Sequence, residues 1–214
     1  MTLVTAEKAY PGSLSLPSGK KIRYKTLAED FAELNRFFLE YIASFNIPIA
    51  LQGKRDDKTL IFSETTAYRF LIKSSNYIDP RTAGLFGKPA WEQYPIPVLE
   101  YALPEPGYEA ITQNQIISLG LAPVEELKFM NRLCTKINAV MKSFFDRRDA
   151  SLISFSCQFG KSEDKIILTG EFAPPWLQAA PVATLNSTGE TFFQFEDAAQ
   201  LKKYIEYLLS AIKA

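Results

Sequence analysis

The chain has 214 residues, 47% of them hydrophobic and 13% aromatic, enough for one domain or two closely merged lobes around a well-buried core. Lysine plus arginine number 24, as do aspartate plus glutamate, so the net charge is zero and no basic surplus points to nucleic acid or an anionic membrane surface. Histidine is absent, which excludes Ser-His and Cys-His nucleophile systems and the commonest zinc sites and leaves acid–base chemistry to carboxylates, lysines, tyrosines or cysteines.

No apolar run of about 18 residues and no signal-peptide pattern occurs, so a soluble, cytoplasmic protein is expected. Residues 1–24 are broken by Pro11, Gly12, Pro17 and Gly19 and should form an arm or irregular strands. Thr26 and Glu29 have capping-box spacing, and Phe31, Leu34, Phe38, Tyr41, Ile42 and Phe45 follow at helical intervals. Two strand-like pieces, NIPIAL (46–51) and KTLIFSE (58–64), flank a charged turn from Lys54 to Lys58. AYRFLIKSS (67–75) is a third, with Arg69, Leu71 and Lys73 alternating against Phe70 and Ile72. From Asp79 to Tyr108 prolines and aromatics dominate, including Pro80, Trp91, Pro95 and Pro97, and an ordered loop or lid is expected.

A short helix should start near Thr112, and a long one runs from about Pro123 to Arg147 through Leu127, Met130, Leu133, Ile137, Val140, Met141 and Phe144. LISFSCQF (152–159) and KIILTGEF (165–172), joined by GKSED, read as a hairpin. Its first strand alternates strictly: Ile153, Phe155, Cys157 and Phe159 form a core face, whereas Leu152, Ser154, Ser156 and Gln158 point the other way. By residue pattern alone that polar face suits the solvent side of an edge hairpin. Cys157 falls on the core face and Cys134 on the long helix, so both are expected as buried thiols. Glu196 to Ala214 gives a last amphipathic helix through Ala198, Leu201, Ile205, Leu208 and Ile212. The order of elements predicts an α+β fold with a mainly antiparallel sheet.

Three of these stretches together resemble SAICAR synthetase (phosphoribosylaminoimidazole-succinocarboxamide synthetase). LGLAPVEELKFMNRLCTKINAVMKSFF is similar to the family's long helix, with its Leu-Gly-Leu-Ala entry and Lys-Ile-Asn centre. LISFSCQFG stands where the family has Val-Asp-Phe-Lys-Leu-Glu-Phe-Gly, and IILTGEFAPP where it has Leu-Ala-Asp-Glu-Ile-Ser-Pro-Asp. Upstream, FFLEYIASFNIPI is similar to a family helix ending in Gly-Ile-Pro-Thr. The resemblance covers roughly residues 30 to 180. It implies two lobes, a reduced N-terminal one over residues 1–100 and a C-terminal one over 101–214, forming one compact unit with flanking helices and a nucleotide cleft between them. It also implies the family's chemistry, in which ATP activates a carboxylate that aspartate converts to an amide. That chemistry uses magnesium ligands and a phosphate-holding lysine.

Residue by residue, this chain departs from that pattern. The Asp, Lys and Glu of the family's polar strand face are here Ser154, Ser156 and Gln158, which the resemblance makes cleft-lining. The Asp-Glu pair is Gly170 and Glu171, and the following Ser-Pro-Asp is Ala173, Pro174 and Pro175. One carboxylate is poor provision for ATP-bound magnesium. The family's nucleotide-covering glycine-lysine hairpin is reduced, with no such motif at the expected distance, and Gly19 and Lys20 are a weak candidate for the family's later Gly-Lys-Gly element. Its Glu-Val-Val-Val-Arg strand aligns Arg69 with the glutamate and Lys73 with the arginine, or, in a shifted register, Arg69 with the arginine.

The expected function is therefore a cofactor-independent enzyme in this fold, performing isomerisation, cyclisation or conjugate addition on an apolar, carbonyl-bearing small molecule of specialised metabolism. Glu171 and Gln158 are the candidate catalytic residues. Phe172, Trp176 and Leu177 follow Glu171 in sequence as candidate apolar surroundings. Ser154, Ser156, Lys73, Arg69, Tyr108 and Trp176 are the candidate substrate-binding residues, and the aromatics Trp91, Tyr94 and Tyr101 are further candidates for the pocket wall. For Glu171, residual metal ligand, general base and surface carboxylate all stay open. No metal site and no cofactor are expected. ATP and magnesium belong to a second reading, an amide ligase, and a third is a non-catalytic metabolite- or protein-binding pseudoenzyme. A small molecule is the expected partner, with homodimerisation left open.

Overall fold

The computed structural model describes residues 5–10, 12–16, 21–24, 26–104, 109–188, 193 and 195–214. The chain opens with β1 (Thr5–Ala9), a ribbon of β2 (Ser13–Ser15) and β3 (Lys21–Arg23), and helix α1 (Ala28–Ala43). The hairpin β4 (Leu51–Asp56) and β5 (Thr59–Ser63) leads into the long strand β6 (Thr66–Tyr77). Next come α2 (Pro80–Phe86), β7 (Gln93–Ala102), β8 (Ala110–Ile111), α3 (Gln113–Ser118) and α4 (Val124–Asp146). The chain ends with β9 (Ala150–Ser162), β10 (Lys165–Leu168), β11 (Leu177–Pro181), α5 (Val182–Thr188) and α6 (Ala198–Lys213).

These strands make an antiparallel sheet in the order β1-β5-β4 and a larger one in the order β10-β9-β6-β7-β8, with β11 also on β9. The larger sheet draws strands from both sides of residue 100 and ties them by hydrogen bonding. Its core face bears out the alternation in the sequence. Ile72 stands opposite Cys157, and both are fully buried, as are Phe155 and Phe159, in one core with Met130, Ile137 and Met141 of α4. Aromatic contact carries this core to α1: Phe38 meets Phe144 of α4 edge-on at 5.5 Å between ring centres.

Several local expectations are corrected. Thr26 does not cap α1. The N-cap is Leu27, without a side-chain bond, and Glu29 and Asp30 support the helix start through its dipole instead. β4 continues through Lys54 to Asp56, so the hairpin turn is tighter than the charged run. The segment 79–108 is not one loop. Asp79 accepts hydrogen bonds from the Arg81 and Thr82 backbones, Pro80 opens α2, and Gly87 closes it in the left-handed conformation at φ 61°. Beyond it, Pro95 and Pro97 lie within a ten-residue strand. They fall where the β6–β7 register shifts between Ser75 and Tyr77, and where β8 does not reach, so no interior ladder bond is lost.

A buried polar clasp joins α4 to the sheet. Asn138 and Asn76 exchange amide hydrogen bonds of 2.8 and 3.0 Å, and the Ser74 hydroxyl donates to Asn138 Oδ1 at 3.3 Å. Both asparagines are about 5% exposed or less, so removing one strands the other away from water. Asn138→Ala should cost about 2–4 kcal/mol, the penalty of two unsatisfied buried groups. In urea unfolding the midpoint should fall with the slope unchanged. Adding Asn76→Ala should cost much less than its effect alone; full additivity would show that the two side chains act independently.

Candidate active site

The opposite face of the larger sheet carries the polar row. The antiparallel register sets Leu71 against Gln158, Lys73 against Ser156, and Ser75 against Ser154, with Lys73 also facing Glu100 on β7. On the far edge of β9, β11 pairs with residues up to Phe155 and β10 pairs only from Phe159 onward. The segment 169–176 fills the gap between them. Gln158 O accepts the backbone N–H groups of Thr169 and Gly170, and Ser156 N–H donates to Trp176 O at 2.9 Å. This bracing holds Gly170, Glu171 and Trp176 over the polar row.

The result is a cavity of about 540 Å³ whose wall includes Arg69, Ser156, Gln158, Gly170, Glu171 and Trp176. That size lies within the range of small-molecule sites. A recess of about 330 Å³ continues from it past Leu71, Ser156 and Trp176 to Lys73, Arg81 and Ser154. Of the residues named from sequence, five therefore meet in the cavity and two in the recess, while Tyr108 lies outside the described residues, as do Gly19 and Lys20. Tyr101 lines the recess and accepts a hydrogen bond from Asn131 Nδ2 at 2.8 Å.

The partners of these groups divide them. Ser154 is buried and its hydroxyl donates to Gln178 Oε1 at 2.7 Å, so it braces β9 against β11 rather than offering a free hydroxyl. Lys73 lies 3.6 Å from the Glu100 carboxylate. By contrast, the side chains of Ser156, Gln158 and Arg69 make no hydrogen bond or ion pair with a described residue. Cys157 is fully buried beside Cys134, and burial pushes its thiol far up, so it is no nucleophile.

Glu171 differs most from expectation. Phe172 and Leu177 turn into the core instead of surrounding the carboxylate, and only Trp176 shares its cavity wall. Its Oε1 is ion-paired with Lys8 of β1, whereas Oε2 accepts no hydrogen bond from a described residue. Tyr10 and Tyr24 complete the surroundings: burial chiefly, then the Glu171 charge, raises both phenols, Tyr24 to about 12, so both keep their protons. Lys8 gave no sequence signal, because its partner lies 163 residues away.

Gly170 is closely packed. A Cβ built there would sit 2.8 Å from the Gln158 backbone nitrogen and 3.3 Å from the Gln158 Cβ. Among the described residues, no group of three Asp, Glu or Cys side chains is placed to hold a metal ion. No helix among them is long and apolar enough to cross a membrane.

Comparison with known proteins accounts for this architecture. The family model for SAICAR synthetase matches residues 25–177. The phosphoribosylaminoimidazole-succinocarboxamide synthase of Chloroherpeton thalassium is 26% identical over 176 residues, covering 81% of this chain and 75% of that protein. That of Pyrococcus abyssi is 24% identical over 190 residues, covering 87% and 81%. The crystal structure of SAICAR synthetase from Pyrococcus horikoshii superposes with a TM-score of 0.86 at 20% identity, over 98% of this chain and 93% of that one. The Saccharomyces cerevisiae enzyme complexed with SAICAR gives 0.75 at 12% identity, over 98% and 88%. At these identities the solved structures establish the fold, α+β with a mainly antiparallel sheet and flanking helices.

Proposed function

The chain belongs to the SAICAR synthetase family, and from that premise we propose that it has left ATP-dependent ligation and acts as a cofactor-independent enzyme on an apolar, carbonyl-bearing small molecule. The observation that carries this reading is the wall made by β9 and segment 169–176. It offers a neutral hydroxyl and a neutral amide, and its one carboxylate already has the Lys8 ammonium as counter-ion. Such a wall is a poor fit for nucleotide-bound magnesium, which wants several oxygen ligands around the ion. Gly170 leaves no room for a second carboxylate beside Glu171.

The same groups suit a carbonyl substrate. Ser156 Oγ–H and the Gln158 amide N–H donate to a carbonyl oxygen and stabilise negative charge as it develops there. Glu171 Oε2 accepts a proton from the carbon beside that carbonyl, or through a water, and returns it elsewhere on the substrate. Lys8 holds the carboxylate in place. Isomerisation follows directly from these proton movements; in cyclisation or conjugate addition the deprotonated carbon bonds to an electrophilic carbon of the substrate, whose π electrons pass to the acceptor atom that takes the proton back from Glu171.

Titration calorimetry with ATP and magnesium tests the premise of lost ligation. No metal-dependent heat is expected. A clear heat of nucleotide binding that chelation abolishes would support ligation instead and overturn the proposal.

A further inference from the structure

Resting on the reading of this cavity as a small-molecule site, we infer that Arg69 is its specificity determinant and that the substrate carries a carboxylate, which the guanidinium holds while the carbonyl lies against Ser156 and Gln158. The first support is how Arg69 reaches the cavity. On β6, Ala67 pairs with Gly160 and Leu71 with Gln158, so Tyr68, Arg69 and Phe70 stand opposite the single residue Phe159. A bulge of this kind bends the strand and re-aims a side chain, and bulges gather beside active sites. Here Phe70 turns into the core, while Tyr68 also lines the cavity but has its hydroxyl committed to Glu126 on α4 at 2.7 Å. Arg69 between them lines the cavity.

The second support is the charge balance. Of the ionic groups near the cavity and recess, Lys8 is paired with Glu171 and Lys73 with Glu100. Among the described residues Arg69 has no ion pair, nor has Arg81 in the recess, and of these two Arg69 is the one that lines the cavity beside the neutral donors Ser156 and Gln158. A guanidinium presents a planar fork that matches a carboxylate with two parallel N–H···O bonds. The remaining wall, with Leu71, Leu103, Pro104 and Trp176, suits an apolar body.

Paired fragments test the inference: benzoate, cinnamate and 3-phenylpropionate, each against its methyl ester, by protein-observed NMR titration, with the Trp176 indole N–H signal reporting the site. Acids should bind in the millimolar range usual for fragments and at least about tenfold tighter than their esters, the discrimination worth one charge-assisted contact. Arg69→Gln should abolish the discrimination by weakening the acids alone, and Arg69→Lys should restore only part of it, because an ammonium lacks the fork. Equal binding of acids and esters, no shift of the Trp176 signal by any acid, or discrimination that survives Arg69→Gln and disappears in Arg81→Gln would each overturn it. The outcome is separate from that of the ATP titration: nucleotide binding sinks the proposed function, whereas acid–ester equivalence without nucleotide binding sinks only this inference.

Discussion

Glu171→Gln should fold as the parent protein does and turn over a carbonyl substrate about two to four powers of ten more slowly, the usual contribution of a positioned acid–base group. The substitution keeps the shape of the side chain and removes only its capacity to take a proton. It also removes the charge that Lys8 faces, but that pair is 43% and 22% exposed, so the stability cost should be about 1 kcal/mol or less. Substrate affinity should change far less than turnover, because the carbonyl contacts of Ser156 and Gln158 remain. Gln158→Ala should act more mildly and lose its effect on substrates without the carbonyl. Single-turnover kinetics on folded protein, checked by thermal melting, decide the matter. Parent-like turnover by Glu171→Gln would remove Glu171 from the mechanism and make Tyr108 the next residue to test.

The second large effect is expected at Gly170. Gly170→Asp returns the acid that the resemblance to SAICAR synthetases places there, yet its Cβ would lie 2.8 Å from the Gln158 backbone nitrogen. That nitrogen belongs to a residue whose own carbonyl accepts Thr169 and Gly170 at 2.9 and 3.1 Å, so neither side can retreat without breaking the brace. The substitution should destabilise the protein by about 1–3 kcal/mol, the cost of overpacking a close contact. It should also fail to confer binding of ATP and magnesium. Gly170→Ala should show most of the same loss of stability, because the clash begins at Cβ. Urea unfolding measures the first effect and calorimetry the second. A Gly170→Asp protein of parental stability that binds the nucleotide would show that segment 169–176 yields and that the older site is only dormant.

Much of the scaffold is legible in the residues themselves. The stripe on α4 needs only the helical period, and the two faces of β9 need only the alternation of a strand, so Phe155, Cys157 and Phe159 could be assigned to the core and Ser156 and Gln158 to a different surface. The resemblance then turned that surface into a cleft. Prolines were less informative, because their meaning depends on neighbours: Pro95 and Pro97 suggest a loop until β7 is seen to run along an edge where no partner needs their missing N–H groups. A helix start near Thr26 was legible, but the cap was not, since one residue of displacement removes the side chain from the orphan N–H groups.

The charges of the site were decided by the tertiary structure. Lys8 meets Glu171 because β1 is laid beside β5, a pairing set by the whole small sheet and by no local pattern. Arg69 enters the cavity through a bulge, where the pairings on either side leave three residues of β6 opposite one of β9. Ser154 looks equivalent to Ser156 in the sequence, yet β11 occupies one and leaves the other free. Local periodicity tells which way a side chain points. What it meets there depends on the packing of segments far apart in the chain, and for Glu171, Arg69 and Gly170 that meeting is what shapes the chemistry of the cleft.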